Sequence, residues 1–381
     1  MIVDLMNLDQ FSMEESTHIA TLGSGLSLDQ VTNKLNGAGK RAMAHGVCPT
    51  VGSGGHFTIG GLGPTSRQWG SSLDHILEAE VVLANSSIVR ASDTQNQDVF
   101  FAIKGAAASF GIVTEFKVRT EPAPGLGVEY TYEVNIGSSS ERAKFFKDWQ
   151  QFISNPELTR KFASVLVVIE HGIILTGNFY GSKEEFDKLG LEDRFPLGKS
   201  GNVVVLDDWL GMTGHAVEDL ALHLGGTPAS FYSKSMAFTH DSLMPNSTID
   251  KLFDYLDTAK KDTLAWFIDF DLQSGATSDY PADATAYAHR DVLYWLQSYA
   301  INLAGPISNT TYEFLDGIND VIAEGVPVAA TRAYPGYVDP RMPNAQEKYW
   351  GSNLPRLERI KAAIDPKDVF HNPQSVKPAR G

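Results

Sequence analysis

Residues 44–61 read Ala-His-Gly-Val-Cys-Pro-Thr-Val-Gly-Ser-Gly-Gly-His-Phe-Thr-Ile-Gly-Gly, six glycines in 18 residues around Cys48, the only cysteine of the chain. Glycine loses the most conformational freedom on folding, so such a run is a poor recipe for a core strand or helix. It suits tight turns, or a backbone that must approach a ligand closely. A thiol within it has two readings. It is either a small buried hydrophobe or the tether of a cofactor cradled by backbone N–H groups, whose positive potential, with His45 three residues upstream, would favour the thiolate.

The rest of the chain narrows the choice. Its 381 residues, with 34 Gly and 18 Pro, exceed one ordinary core and suggest two domains or one large α+β body. A net charge of −15 disfavours nucleic acid and anionic membrane surfaces as partners. One cysteine excludes an internal disulfide framework and a CxxC zinc site, and no metal motif stands elsewhere. No apolar run approaches the roughly 18 residues that span a bilayer. The dinucleotide fingerprint GxGxxG fails twice, because Leu28 and Phe57 stand where its third glycine belongs, so a nicotinamide cofactor is disfavoured.

Working outward, 17–22 alternate as a half-buried strand, and Ser27 with Gln30 opens a helix whose apolar face is Leu28, Val31 and Leu35. Residues 75–83 and 87–92 read as strands about Asn85-Ser86, and 98–105 as a short helix. Gly111–Arg119 alternates as a strand, with Ile112, Thr114, Phe116 and Val118 inward or the opposite parity. Glu121-Pro-Ala-Pro-Gly125 punctuates a change of pattern and marks a domain boundary. Beyond it come a strand from Tyr130, a helix over 143–153, strands at 163–169 and 173–180, mixed structure over 200–330 with a strand at 264–272, and a helix over 354–364. The sum is α+β with antiparallel character. On the strand at 264–272, alternation puts Asp269, Asp271 and Gln273 on one face. Neighbouring carboxylates there raise one pKa or bind a polyhydroxylated molecule.

Four blocks carry a family resemblance. His45-Gly-Val-Cys-Pro-Thr-Val-Gly-Ser-Gly-Gly-His-Phe-Thr-Ile-Gly-Gly-Leu-Gly-Pro-Thr-Ser66 resembles the flavin-binding segment of berberine-bridge-type FAD oxidases, within the vanillyl-alcohol-oxidase superfamily. It is nearest to the fungal glucooligosaccharide-oxidase-like members. Val89–Asp98 with Phe110–Val113 resembles the core of their FAD domain, and Ala333-Tyr-Pro-Gly-Tyr-Val-Asp339 resembles their Tyr-x-Asn-Tyr-x-Asp active-site strand. Leu354-Pro-Arg-Leu, Asp365-Pro, Val369-Phe and Asn372-Pro-Gln-Ser375 resemble their C-terminal signature.

The resemblance implies an FAD-binding domain, residues 1–124 and 340–381, and a substrate domain, residues 125–339, with a helix-flanked antiparallel sheet. It implies FAD held through Cys48 by a 6-S-cysteinyl link and cradled by His45, Gly46, Gly52, Gly54, Gly55, His56, Gly60, Gly61, Gly111, Ile112, Val113 and Gln374. The family's second, histidyl link has no matching residue. Its Gly-Gly-His block is absent, and Met1-Ile-Val-Asp-Leu matches a strand lying after it, so the start of the FAD domain is expected to be missing. Tyr337 is then the base, as a phenolate of lowered pKa, with Tyr334 assisting and Asp271 supporting it. Phe267, Asp269 and Gln297 line the substrate cleft. Three departures bear on the substrate: Gly336 replaces the motif's Asn, Asp269 a Gln, and Phe267 a Trp that would stack on sugar. The expected activity is oxidation of a hydroxyl-bearing small molecule, an oligosaccharide or a secondary metabolite, by a monomer using O2 and releasing H2O2. The rival is a shortened chain that binds flavin weakly without catalysis.

Overall fold

Two antiparallel sheets organise the chain in the computed structural model, which describes residues 3–197, 201–214, 229–303 and 305–380. Residues 215–228, inside the stretch expected to mix helix and strand, lie outside the described residues. The first sheet is built from β1 (Phe11–Met13), β2 (Ile19–Gly23), β4 (Ile76–Leu83), β5 (Ile88–Ser92) and β6 (Gly111–Arg119), in the order β1-β2-β6-β4-β5. A two-residue pair, β3 (Arg41–Ala42) with β7 (Glu121–Pro122), closes one corner. Helix α1 (Leu28–Gly37) buries Leu28, Val31 and Leu35 as their spacing requires, and Gln30 Oε1 accepts the Ser27 N–H at 3.0 Å. Helix α2 (Gln97–Ala106) bends at Lys104-Gly105. There Gly105 adopts φ +136°, and a Cβ on it would lie 2.4 Å from the Tyr287 nitrogen.

Two expectations change here. Residues 3–8 form a turn rather than a strand, with Leu8 N–H donating to Leu5 O at 2.8 Å and Leu8 O accepting from Gly25 at 2.9 Å. In β6 neither parity holds throughout. Val113 points inward, then so do Phe116 and Val118, because the pairing slips between Glu80↔Glu115 and Val81↔Val113. Thr114 is the extra residue of that bulge, and its hydroxyl donates to Glu80 Oε1 at 2.8 Å.

The second sheet has seven strands: β8 (Gly127–Val134), β9 (Val165–Ile169), β10 (Gly172–Phe179), β11 (Gly201–Leu206), β12 (Ser230–Thr239), β13 (Ala265–Leu272) and β14 (Val292–Asn302), ordered β11-β8-β10-β9-β13-β14-β12. Even-numbered residues of its central strands, Leu166, Val168, Ile268, Phe270 and Leu296, form a core under α3 (Ser139–Ile153), α4 (Asn246–Thr258) and α5 (Asn309–Gly325). Helix α3 starts where Ser138 Oγ accepts the Glu141 N–H at 3.3 Å, and its Phe146 ring meets Phe270 edge-on at 4.6 Å.

The other face, carrying the odd-numbered residues, turns toward the first sheet. Trp295 and Ala237 from it are buried in the same cluster as Leu22, Phe57 and Phe116. Two buried arginines tie the halves. Arg67 donates to Phe162 O at 2.8 Å and Ser274 Oγ at 2.7 Å, and Arg290 pairs with Asp74 at 2.9 Å. Helix α6 (Leu354–Ile364) returns to the first half, where its Lys361 donates to Ser109 O at 2.7 Å and pairs with Asp365. Among the described residues no helix is long and apolar enough to cross a membrane.

Candidate active site

The glycine-rich segment is a wrapped loop with one short helical turn, Ser53–His56, contrary to the expectation of no helix there. It is held by groups that oppose a thiolate. Pro49 O and Val51 O accept the N–H groups of Asp29 (3.1 Å) and Leu28 (2.9 Å), consuming donors at the start of α1. His56 Nε2 accepts the Gly46 N–H at 2.8 Å, and His75 Nε2 accepts the Ala44 N–H at 3.3 Å. His45 accepts from the Thr32 hydroxyl (2.9 Å) if its other nitrogen donates to Gly46 O (2.7 Å), the tautomer these partners favour. Each imidazole is thus an acceptor and neutral. Burial, with a small push from His45, takes His56 down to about 3, and burial lowers His45 as well. Cys48, partly exposed in the Cys48–Val51 turn, has its thiol pKa raised by burial.

The segment expected to be an active-site strand is a turn. Tyr337 N–H donates to Tyr334 O at 3.0 Å around Pro335-Gly336, a dipeptide that favours turns. Two anchors hold it. Tyr334 N–H donates to Ser235 Oγ on β12 (3.2 Å), and the Tyr334 hydroxyl accepts the Gly61 N–H (3.2 Å). This approach explains Gly60 and Gly61. A Cβ on Gly60 would sit 2.9 Å from the Tyr334 ring, and Gly61 holds φ +73° with a virtual Cβ 2.2 Å from Ser72 Oγ. Buried Asp339 fixes the far end, accepting from the Tyr232 hydroxyl (2.8 Å) and pairing with Lys234 (3.3 Å). Gln374 donates to Asp339 O at 2.7 Å and so braces this turn.

Beneath the turn lies the odd-numbered face of β13 and β14. The register sets Phe267 opposite Tyr299, Asp269 opposite Gln297 and Asp271 opposite Trp295. Gln273 Nε2 donates to Asp271 Oδ2 at 3.1 Å. Burial raises both carboxyls, Asp271 to about 7 and Asp269, with the added charge of Asp271, to about 8. Some side-chain surface stays open to the cleft, yet the walls exclude most of the water around them. The Tyr334 and Tyr337 rings meet at 4.9 Å and 72°. Tyr337 is pushed well above the usual tyrosine value, first by burial and then by Asp271, Tyr334, Asp269 and Tyr299. The expected lowered pKa is therefore reversed. The principal neighbours are acidic, and no cation offsets them.

The structure thus gathers Tyr334, Tyr337, Asp269, Asp271, Gln297 and Phe267 from distant stretches. Gly111, Ile112 and Val113 lie on β6, where a Cβ on Gly111 would lie 2.7 Å from Val82 O. Three residues of the cleft escaped the sequence: Ser235, Phe231 and Tyr299. Tyr299 was within reach, since it follows Gln297 by two on one strand.

A flavin fits this setting. The N–H groups of Val47, Cys48 and Thr50 have no acceptor among the described residues, a row of donors suited to ring carbonyls and nitrogens. Beside them a cavity of about 410 Å³ opens between Thr32, His45, Val47 and Pro49 on one side and Tyr180 and Trp209 on the other.

Comparison with known proteins agrees. Residues 1–92 match the FAD binding domain model, and residues 333–377 match the model described as berberine and berberine like. FAD-linked oxidoreductase sorD of Penicillium rubens is 40% identical over 379 residues, covering 99% of this chain and 80% of the relative. The xylooligosaccharide oxidase from Myceliophthora thermophila C1, solved with xylobiose, superposes with TM-score 0.89 at 31% identity, over 100% of this chain and 82% of that one. Glucooligosaccharide oxidase from Acremonium strictum, whose FAD is described as 6-S-cysteinyl, 8α-N1-histidyl, gives TM-score 0.88 at 29% identity, over 100% and 82%. FAD is accordingly the cofactor of this fold, and the chain belongs to the berberine-bridge-type FAD-linked oxidoreductases.

Proposed function

We propose that the protein is an FAD-dependent oxidase of a hydroxyl-bearing small molecule, in which residues 1–124 with 340–381 hold the flavin and residues 125–339 hold the substrate. Overall, a CH–OH group loses a hydride and a proton to become a carbonyl, and O2 takes up both as H2O2. When bound, FAD supplies the hydride acceptor.

The observation that carries this reading is that the Tyr334–Tyr337 turn, held against Gly61, lies over the sheet face that carries Asp269 and Asp271, whose charges act on Tyr337. A hydroxyl proton must leave as the carbonyl forms, and Tyr337 Oη receives it. Because its own pKa is raised, Tyr337 does not rest as a phenolate. It passes its proton on as it takes the new one, and Asp271, at about 7, is an acceptor matched to neutral pH. Tyr334, tied to Ser235 and Gly61, orients the turn and stays out of the proton path. Gln297, beside Asp269, completes a polar floor that can bind a second hydroxyl. Cys48, Val47 and Thr50 would hold the flavin ring, with Cys48 as the candidate for a cysteinyl link of the kind described for the Acremonium relative.

Reconstitution with FAD followed by acid precipitation tests the tether. Yellow colour is expected to stay with the wild-type pellet and to leave with the supernatant in Cys48→Ala. Colour lost equally from both removes the thioether from this account.

A further inference from the structure

Phe267, Tyr299 and Phe231 stand in a row on three adjacent strands of the open sheet face. Phe267 and Tyr299 stack at 5.0 Å with planes 17° apart, and Tyr299 and Phe231 follow at 5.6 Å and 33°. Side chains on a sheet stand nearly perpendicular to it. Rings stacked across neighbouring strands therefore stand like books on a shelf, with their outer edges toward the cleft. One face of Tyr299 is covered by the stacked Phe267, and Phe231 leans obliquely against it from the next strand.

That arrangement discriminates by shape and charge. A sugar packs its row of C–H bonds onto an aromatic face, and Tyr299 has little of one left to offer. Ring edges carry the positive part of the aromatic quadrupole and pack well against the electron-rich face of another π-system. The row also leaves the chemistry within reach, since Phe267 and Asp269 are two residues apart on β13, about 7 Å along the strand. An aromatic ring bearing one carbon and a hydroxyl spans that interval. Phe231 is 61% exposed and gives the platform an open outer end.

We propose that this ladder makes the protein selective for a flat, conjugated hydroxyl compound, an aromatic or allylic alcohol, over a saccharide. The ring lies across the upright edges of Phe267, Tyr299 and Phe231, and its hydroxyl-bearing carbon reaches the Asp269–Asp271 pair beneath Tyr337. The inference rests on the oxidase reading for the chemistry, but recognition is separable from it. The acid pair suits such a ligand, because one retained proton gives the floor both a donor and an acceptor for a single hydroxyl. A sugar would instead call for several polar groups free to pair with it, whereas the Gln273 carboxamide already donates to Asp271, leaving Gln297 opposite Asp269.

Binding to the FAD-loaded protein is measured by calorimetry with two probes, 2-naphthol, which has no CH–OH to oxidise, and cellobiose. Anaerobic flavin bleaching is then followed with cinnamyl alcohol and with cellobiose. The expected result is naphthol binding at least about tenfold tighter than cellobiose, weakened about three- to tenfold by Phe267→Leu and by Phe231→Leu with cellobiose unaffected. The exposed Phe231 site keeps the test valid even if Phe267→Leu folds poorly. Cellobiose binding as tightly as naphthol, or naphthol binding untouched by Phe231→Leu, overturns the inference. Bleaching by cellobiose without naphthol binding overturns it too, while leaving the oxidase reading intact. Naphthol binding without bleaching by either alcohol upholds the recognition and refutes the oxidase reading.

Discussion

Replacing Asp269 by Asn should change how stability depends on pH, and the size and sign follow from the carboxyl pair. Asp269 titrates near 3.8 when the chain is unfolded and at about 8 in the folded protein, because burial and Asp271 both oppose its charge. Between those values the folded state binds a proton that the unfolded state has released. Stability therefore falls as pH rises through that window, by about 1.4 kcal/mol per pH unit for an independent group. The pair shares its titration and the cleft admits some water, so from pH 5 to pH 7 the loss traceable to Asp269 should be about 2 kcal/mol. Asn cannot charge, so the variant has no such pH dependence at this position. Urea unfolding of both proteins at pH 5, 6, 7 and 8, followed by tryptophan fluorescence, isolates the difference, since every other titrating group is common to the two. The variant should match or trail the wild type at pH 5 and exceed it increasingly above pH 6. Parallel profiles across the whole range would refute the argument that this carboxyl is held protonated by its surroundings.

Three further outcomes are expected. Tyr337→Phe should slow anaerobic flavin reduction about 10²- to 10⁴-fold while leaving bound flavin in place, and an unchanged rate excludes it as the proton acceptor. Gly61→Ala should cost about 3 kcal/mol, combining a positive-φ penalty with the collision against Ser72, visible as a lowered urea midpoint. Arg290→Met, which strands Asp74 without its cation inside the protein, should destabilise by about 3–5 kcal/mol, and adding Asp74→Asn should recover part of that loss.

Much of this site was legible because its parts are local. Alternation alone placed Asp269 and Asp271 together, a capping signal located α1, and an apolar face located α3 from 143 on, although the helix begins at Ser139. The thiol and phenol differ from expectation for different reasons. The thiol was credited with positive surroundings inferred from its sequence neighbours and the phenol with a lowered pKa implied by the resemblance, whereas burial raises both and the carboxyls of Asp271 and Asp269 raise Tyr337 further. Such burial is decided by contacts far apart in the chain. The same holds for Ser235 under Tyr334 and for the Asp74–Arg290 pair, 216 residues apart, neither of which has a local signature. The turn at Tyr334 is different. Pro335-Gly336 announced it, and the likeness to a family strand outweighed the dipeptide. The bulge at Thr114 had no such signal, because a slipped register depends on the partner strand.

Alternation along the seven-stranded sheet also divides labour in a way that bears on how such a protein can diversify. On β12, β13 and β14, odd positions face the first sheet and the proposed cleft, and even positions face the helices behind. A change at 231, 267, 269, 297 or 299 can redraw what the cleft accepts without disturbing the helix-packed layer. The tyrosine that handles the proton hangs from a separate turn, secured through Asp339 and Gln374. Selectivity and proton transfer thus sit on independently replaceable pieces of chain, so that new substrates can be tried without rebuilding the chemistry.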